Sequence, residues 1–300
     1  MGLRVWIWLL SLSVLWGGSF FFAKVAMGEL GPFTVVFVRV ALAALVLNLV
    51  LAASGDSLFR RAAPWRAYLC MGLLNNVIPF SLFNWAQLHI TSGLASIMNA
   101  TTPLFTLVVA HLATADERID ASKTVALLCG LAGVVVLIGP AALAGSGGDL
   151  WGELACLGAA LSYAFAGVYG RRFRSIGSSA VQTAAGQVSA SSMLILPIML
   201  TVEQPWLLPA PPSAAVLAAL AALALLTIAV GYILYFRILA AAGATNLLLV
   251  TFMMPAIALV LGVTVLGERL EPRHLAGMGL IGIGLAVIDG RIGRFLHAAK

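Results

Sequence analysis

Side-chain amides set inside otherwise apolar runs are the groups in this sequence best suited to bind a small molecule. Asn75 and Asn76 lie near the middle of one run, followed by Pro79 and Asn84; Asn99, Thr101, Thr102 and Pro103 lie in the next. An amide donates through its nitrogen and accepts through its oxygen, so a few of them can meet both the carboxylate and the ammonium of a zwitterion. The same groups can also serve as hydrogen-bonding glue between helices, but as a cluster they point to the border of a pathway. Aromatic residues recur in neighbouring runs: Trp16, Phe20, Phe80 and Phe83, then Tyr163, Tyr232, Tyr235 and Phe252. Rings beside amides would accept apolar or aromatic groups and hold an ammonium by cation–π contact, worth about 0.5–2 kcal/mol. The expected cavity set is Trp16, Phe20, Asn76, Phe83, Asn84, Asn99, Thr102, Tyr163, Tyr232 and Phe252. Pro79, Pro103 and Pro255 each remove a backbone donor and free a carbonyl. With Gly231 they are the expected hinges, and Gly262 is a further soft point.

What positions these groups follows from composition. The chain has 300 residues, 62% hydrophobic and only 9% charged, whereas a soluble domain carries about a quarter charged residues. Such a chain cannot cover a water-facing surface, and a bilayer supplies the missing apolar solvent. A crossing helix needs about 20 apolar residues. Charges, prolines and loop residues cut the chain into ten candidate spans, near 4–25, 33–53, 66–89, 93–113, 123–142, 151–171, 178–201, 214–239, 244–266 and 274–290. The expected fold is an all-α integral membrane protein of ten transmembrane helices. The first run, Val5 to Ala23, is too long for a signal h-region and stays as the first helix.

The net charge of +6 reflects basic residues scattered singly or in short groups between spans, which is no nucleic-acid stripe. With the N-terminus in the cytoplasm the inner side collects thirteen Lys and Arg, and the outer side only Lys24, Arg269 and Arg273. The positive-inside rule therefore puts both termini in the cytoplasm. Arg39 is the one charge well inside a span. Placing it there costs about 2.5–3.5 kcal/mol, so a backbone carbonyl or the nearby outer surface is its most economical partner, with a substrate carboxylate as the alternative.

The two halves repeat. Trp16 and Lys24 recur as Tyr163 and Arg171 at an offset of 147; Glu117-Arg118 recurs as Glu268-Arg269 at 151; Pro103 recurs as Pro255 with one residue of slippage. Five spans per half is odd, so residues 1–145 and 146–300 form two five-helix repeats entering the membrane from opposite sides. That is the inverted-repeat plan of many alternating-access transporters. On this plan Trp16 and Tyr163 face one another across the pseudo-axis.

Leu15 to Ser19 (Leu-Trp-Gly-Gly-Ser), Val38-Arg39, Pro103, Asp116 to Arg118, a glycine-rich fifth span and Leu266 to Arg269 together resemble the EamA-type branch of the drug/metabolite transporter superfamily. Within it the chain is similar to YddG-type amino-acid exporters. The resemblance covers essentially the whole chain. It implies a central cavity between the halves, residence in the inner (plasma) membrane, and export of amino acids, aromatic ones among them. The same fold exporting another metabolite or drug, and a nonenzymatic membrane subunit, are the alternatives.

Enzymatic signatures are missing from the sequence. There is no Gly-x-x-x-x-Gly-Lys-[Ser/Thr] loop and no Gly-x-Ser-x-Gly elbow, and the four histidines have no metal-ligand spacing. Cys70, Cys129 and Cys156 read as small core residues. No cofactor, metal or nucleic acid is expected; the partners are a small-molecule substrate and the lipid bilayer. No Asp or Glu lies mid-span, since Glu153 and Asp289 are near ends, and ion-coupled carriers usually place a carboxylate on the path. Transport without obligatory proton coupling is the expectation. Ala126 and Gly130, and Gly282, Ala286 and Gly290, have the four-residue spacing of close helix contact. They read as a scaffold seam or a dimer face.

Orientation is directly testable. With the chain produced in a bacterial inner membrane, alkaline phosphatase fused after Asp149 is expected to be active, and fused after Ser175 inactive. The reverse pattern would invert the assignment.

Overall fold

The structure is a computed structural model and describes residues 2–58, 64–114, 118–143, 150–247 and 249–288. Glu117, Asp289 and Gly290, the basic residues Arg60, Arg61, Arg291, Arg294 and Lys300, and the junction of the two repeats lie outside the described residues. Among the described residues there are helices and turns and no strand. The helices are α1 (Leu3–Ala26), α2 (Pro32–Ala53), α3 (Trp65–Gly72), α4 (Ile78–Ala86), α5 (Ser92–Asn99), α6 (Thr102–Ala113) and α7 (Ala121–Leu143). The second half supplies α8 (Leu150–Ile176), α9 (Ala180–Val202), α10 (Ala214–Ala221), α11 (Gly231–Leu247), α12 (Leu249–Thr264) and α13 (Pro272–Ile288).

Eight stretches are long and apolar enough to cross a membrane. Two more complete the ten crossings among the described residues: α3 through α4, and the shorter apolar Pro272–Val287. Local chemistry sets the ends. Pro32 starts α2, the Thr91 hydroxyl caps α5, and Ser179 with Gln182 forms a reciprocal capping box on α9. Gly243 has φ +77, so the eighth crossing stops there and the ninth begins.

Three crossings are not continuous α-helix. The third is interrupted by π-helical turns at Leu73–Val77 and the eighth by π-helical turns at Ala222–Val230. The fourth breaks at Ala100 and Thr101, ahead of Pro103. At an offset of 152, Pro79 and Gly231 correspond, and each follows its π segment. The repeat thus extends to the two π segments, whereas the break in the fourth crossing has no counterpart in α12.

The repeats do not fold as two separate bundles. The most extensive helix contacts run between them: α7 on α13, α2 on α9, and α1 on α12, answered by α8 on α4, α5 and α6. Each half therefore supplies the apolar partner the other needs. The α7–α13 seam depends on glycine. A Cβ at Gly133 would stand 2.9 Å from the Gly277 carbonyl oxygen, and one at Gly284 would stand 2.7 Å from the Ala126 carbonyl oxygen. Ala126 and Gly130 are therefore occupied within the chain, by α13 and by Leu104 of α6, so they serve the scaffold seam.

Overpacking a close-packed contact costs about 1–3 kcal/mol. Gly277→Val is accordingly expected to lower the thermal unfolding midpoint in detergent, while Gly282→Ala, which meets nothing within 4 Å, leaves it unchanged or raises it.

Candidate functional site

A cavity of about 730 Å³ lies between the repeats. Of the residues expected from sequence, Trp16, Phe20, Phe83, Asn84, Asn99, Thr102, Tyr163 and Tyr232 line it. Two do not. Asn76 is fully buried behind the lining and donates to Ser191 Oγ at 2.9 Å, which makes it the glue that amides can be. Phe252 packs against the main apolar core. Among the hinge residues, Pro103 touches the cavity, while Pro79, Gly231 and Pro255 stand beside it next to lining residues.

The rings form symmetric pairs across the repeat boundary. Trp16 of α1 packs on Tyr235 of α11, with centroids 5.8 Å apart, and Tyr163 of α8 packs on Phe83 of α4 at 6.1 Å. Phe83 and Tyr235 are equivalents at the 152 offset. Trp16 and Tyr163, expected to face one another, instead each pair with a ring of the opposite repeat. Phe20 meets Phe83 edge-on at 5.5 Å and extends that wall.

The two π segments are satisfied from the opposite half. Trp16 Nε1 donates to the Thr227 carbonyl at 2.9 Å, inside the second π segment. Ser162 Oγ of α8 donates to the Leu74 carbonyl at 2.7 Å, inside the first. Gly231 is required there: a Cβ would stand 2.7 Å from Trp16 Nε1. In the fourth crossing, the Thr102 hydroxyl donates to the Asn99 carbonyl, which Pro103 leaves without its helical N–H, and the Thr101 hydroxyl joins its own amide on the Met98 carbonyl.

Polar side chains of the second and seventh crossings complete the lining. Arg39 and Gln187 each lie seven residues after the first residue of their helices, Pro32 and Ala180. Arg39 Nη2 donates to Thr227 Oγ1 at 3.4 Å, and its guanidinium lies 3.8 Å over the Phe80 ring. Gln187 accepts from Asn75 Nδ2 at 3.2 Å and donates to the Tyr232 hydroxyl at 2.9 Å. Thr227 and Asn75 are equivalents, as are Tyr232 and Phe80. One arrangement therefore occurs twice, with a cation in one copy and an amide in the other. Arg39 has neither of the partners expected of it, a backbone carbonyl or the outer surface. Gln187 and Thr227 were not singled out from sequence; the sequence offsets of 147 and 151 carry Arg39 to Gly186 and Ala190, so only the packing pairs Arg39 with Gln187.

The cavity is asymmetric along the membrane normal. At one end, five charged side chains hold helix ends together. Glu203 accepts from the Phe33 and Thr34 amides at 2.8 and 2.6 Å. Glu268 accepts from the Ser92 and Gly93 amides at 2.7 and 3.2 Å, and Lys24 donates to the Gln87 and Ile90 carbonyls. Arg273 donates to the Leu137 and Ile138 carbonyls at 3.1 and 2.7 Å. Glu29 accepts from the Ser213 amide at 2.7 Å, and these Ser213 contacts hold its carboxyl below the usual carboxylate range. That cap is therefore present at neutral pH and lost only as pH falls through the lowered value. The lining beside this glutamate end, Ala23, Asn84 and Gln87, is buried. Towards the opposite, arginine-bearing end, Met71, Gly170 and Thr183 are half-buried and Gly167 is exposed beside the buried Phe173 and Ala184, so the lining is looser there.

Helices broken around a midplane cavity between two interlocked repeats define a membrane carrier. The EamA-like transporter family matches the chain twice, over residues 3–139 and 150–289, and the chain belongs to that family. It is a multi-pass integral membrane transporter of the drug/metabolite transporter superfamily. It is 28% identical to the uncharacterized inner membrane transporter YedA of Escherichia coli, over 97% of this chain and 92% of that one. The uncharacterized transporter YoaV of Bacillus subtilis is 27% identical over 56% of this chain and 57% of its own length. A crystal structure with a TM-score of 0.66 and 21% identity, covering 95% of this chain and 96% of the other, shares the fold.

The glutamate end can be tested as a seal. Glu268→Ala leaves the Ser92 and Gly93 amides without their acceptor. It is expected to raise labelling, by a membrane-impermeant maleimide applied from that side, of a cysteine placed at Ala23.

Proposed function

We propose that the protein is an alternating-access exporter of amino acids, aromatic ones among them, working without obligatory proton coupling. The observation that carries the reading is the cavity lining itself. Rings on two sides, Trp16 with Tyr235 and Tyr163 with Phe83, flank the amides of Asn75, Asn84, Asn99 and Gln187. An apolar or aromatic side chain fits between such rings, and amides answer both ends of a zwitterion. Trp16, Phe20, Phe83, Asn84, Asn99, Thr102, Tyr163 and Tyr232 are the proposed cargo contacts.

Export is what the family resemblance implies, and orientation rests on charge. With the arginine-bearing end in the cytoplasm, the looser end of the cavity faces the cytoplasm and the glutamate end is the closed outer gate. Releasing cargo outside requires the Glu29, Glu203, Glu268 and Lys24 contacts of that gate to separate while the arginine-bearing end closes; Arg273 stays on the α7–α13 scaffold. The π segments and Pro79, Pro103, Gly231 and Pro255 are the points proposed to bend. Such sites already lack part of the backbone ladder, so reorienting them breaks fewer hydrogen bonds. Among the described residues no Asp or Glu lines the cavity, which supports uncoupled movement down a cargo gradient.

The test is purified protein in liposomes with labelled phenylalanine, threonine and a sugar phosphate, with and without a proton gradient. Saturable phenylalanine flux, insensitive to the gradient and reduced at least tenfold in Trp16→Ala or Tyr163→Ala, is the expected result. Flux that requires the gradient would remove the uncoupled mechanism. Flux of the sugar phosphate alone would assign the same fold to another cargo.

A further inference from the structure

Among the described residues one charged group lines the cavity, and it is incompletely satisfied. Arg39 is 6% exposed, and its Nε–H has no hydrogen-bond partner. Its one hydrogen bond among the described residues is the long contact to Thr227 Oγ1, at 3.4 Å. That hydroxyl is itself committed, donating to the Leu223 carbonyl at 2.6 Å. A guanidinium carries five N–H donors in a plane, and here Phe80 covers one face of that plane at 3.8 Å. The ring contact fixes the plane; Nε itself is shut in, so the donors that can face an anion are those at the Nη end. Among the described residues no carboxylate lines the cavity to neutralise it. A desolvated cation with unmet donors is costly to maintain unless an anion completes it.

The repeat sharpens what that anion must be. At the equivalent place in the other half, Gln187 is neutral and its amide is already bonded to Asn75 and Tyr232. The pseudo-twofold pair therefore offers one cationic seat and one neutral, satisfied one. A single guanidinium edge matches a single carboxylate, two parallel N–H···O bonds to two oxygens. A phosphate or a dicarboxylate would leave charge facing rings and amides.

We propose that Arg39 is the carboxylate seat of the cavity, and that the cargo class is a monocarboxylate whose apolar remainder lies along the ring wall. This rests on reading the cavity as the cargo site, and it is narrower than amino-acid transport in one respect and broader in another. It demands the carboxylate but not the ammonium.

The test uses full-length protein in detergent and isothermal titration with two matched pairs, phenylalanine with phenylalaninamide and 3-phenylpropionate with 3-phenylpropionamide. At least one acid is expected to bind about tenfold or more tightly than its amide. That preference should vanish in Arg39→Gln and survive in part in Arg39→Lys. Equal binding of acid and amide by the unaltered protein, an acid preference persisting in Arg39→Gln, or no binding of either acid would overturn the proposal. If 3-phenylpropionate shows the Arg39-dependent preference and phenylalanine does not bind, the carboxylate seat stands and amino-acid cargo falls. Should Arg39→Gln not fold, the acid-to-amide ratio of the unaltered protein and its reduction in Arg39→Lys decide.

Discussion

In hydrocarbon there is no water to hydrogen-bond a stray peptide group, so every N–H and C=O must be answered within the protein. A continuous helix meets that demand alone, but it offers only side chains to a cargo and bends poorly. This chain interrupts its third, fourth and eighth crossings, and the remainder of the architecture compensates for those interruptions. The Thr227 carbonyl is answered by the Trp16 indole and the Leu74 carbonyl by the Ser162 hydroxyl, each reaching across from the other repeat. Gly231 must lack a side chain because the indole occupies the space a Cβ would take. The π segments are thus answered where the two halves interlock, and the cavity lies beside them; the break in the fourth crossing is answered by its own Thr102 hydroxyl.

The interlock also explains the division of labour among the helices. α7 and α13 approach through glycine, bury little polar matter and serve as scaffold. The crossings nearest the centre carry the rings, amides and π segments. The loops at the glutamate end do more than connect. Their carboxylates neutralise the positive ends of α2, α5 and α10 while tying one repeat to the other, which combines helix capping with gate closure. Opening that gate exposes each helix start to water, which can replace the carboxylate, so the change is energetically accessible at the membrane surface in a way it would not be at the midplane.

Inverted symmetry gives both gates similar machinery, yet the copies are not identical. The Trp16–Tyr235 and Phe83–Tyr163 pairs keep the geometry with different rings, and Arg39 and Gln187 keep the position with different charge. Symmetry in the backbone permits two opposed conformations of comparable energy. Asymmetry in the side chains can then give a bound molecule one preferred orientation.

The membrane class, the ten crossings and the repeat were legible in the sequence because they follow from one-dimensional quantities: hydropathy over about 20 residues, charge between runs, and residue spacing. Eight of the ten expected cavity residues line the cavity because polar and aromatic groups at membrane depth have few other places to go. Asn76 and Phe252 do not, because composition cannot say which face of a helix turns inward, and at Asn76 π turns shift the phase as well. Asn76 turns to Ser191, and Phe252 into the apolar core. The partners of Arg39, the Trp16 bond to Thr227, and the closure of only one end join residues up to 211 positions apart. Spacing along a chain carries no record of such meetings; only packing of one repeat into the other brings them about.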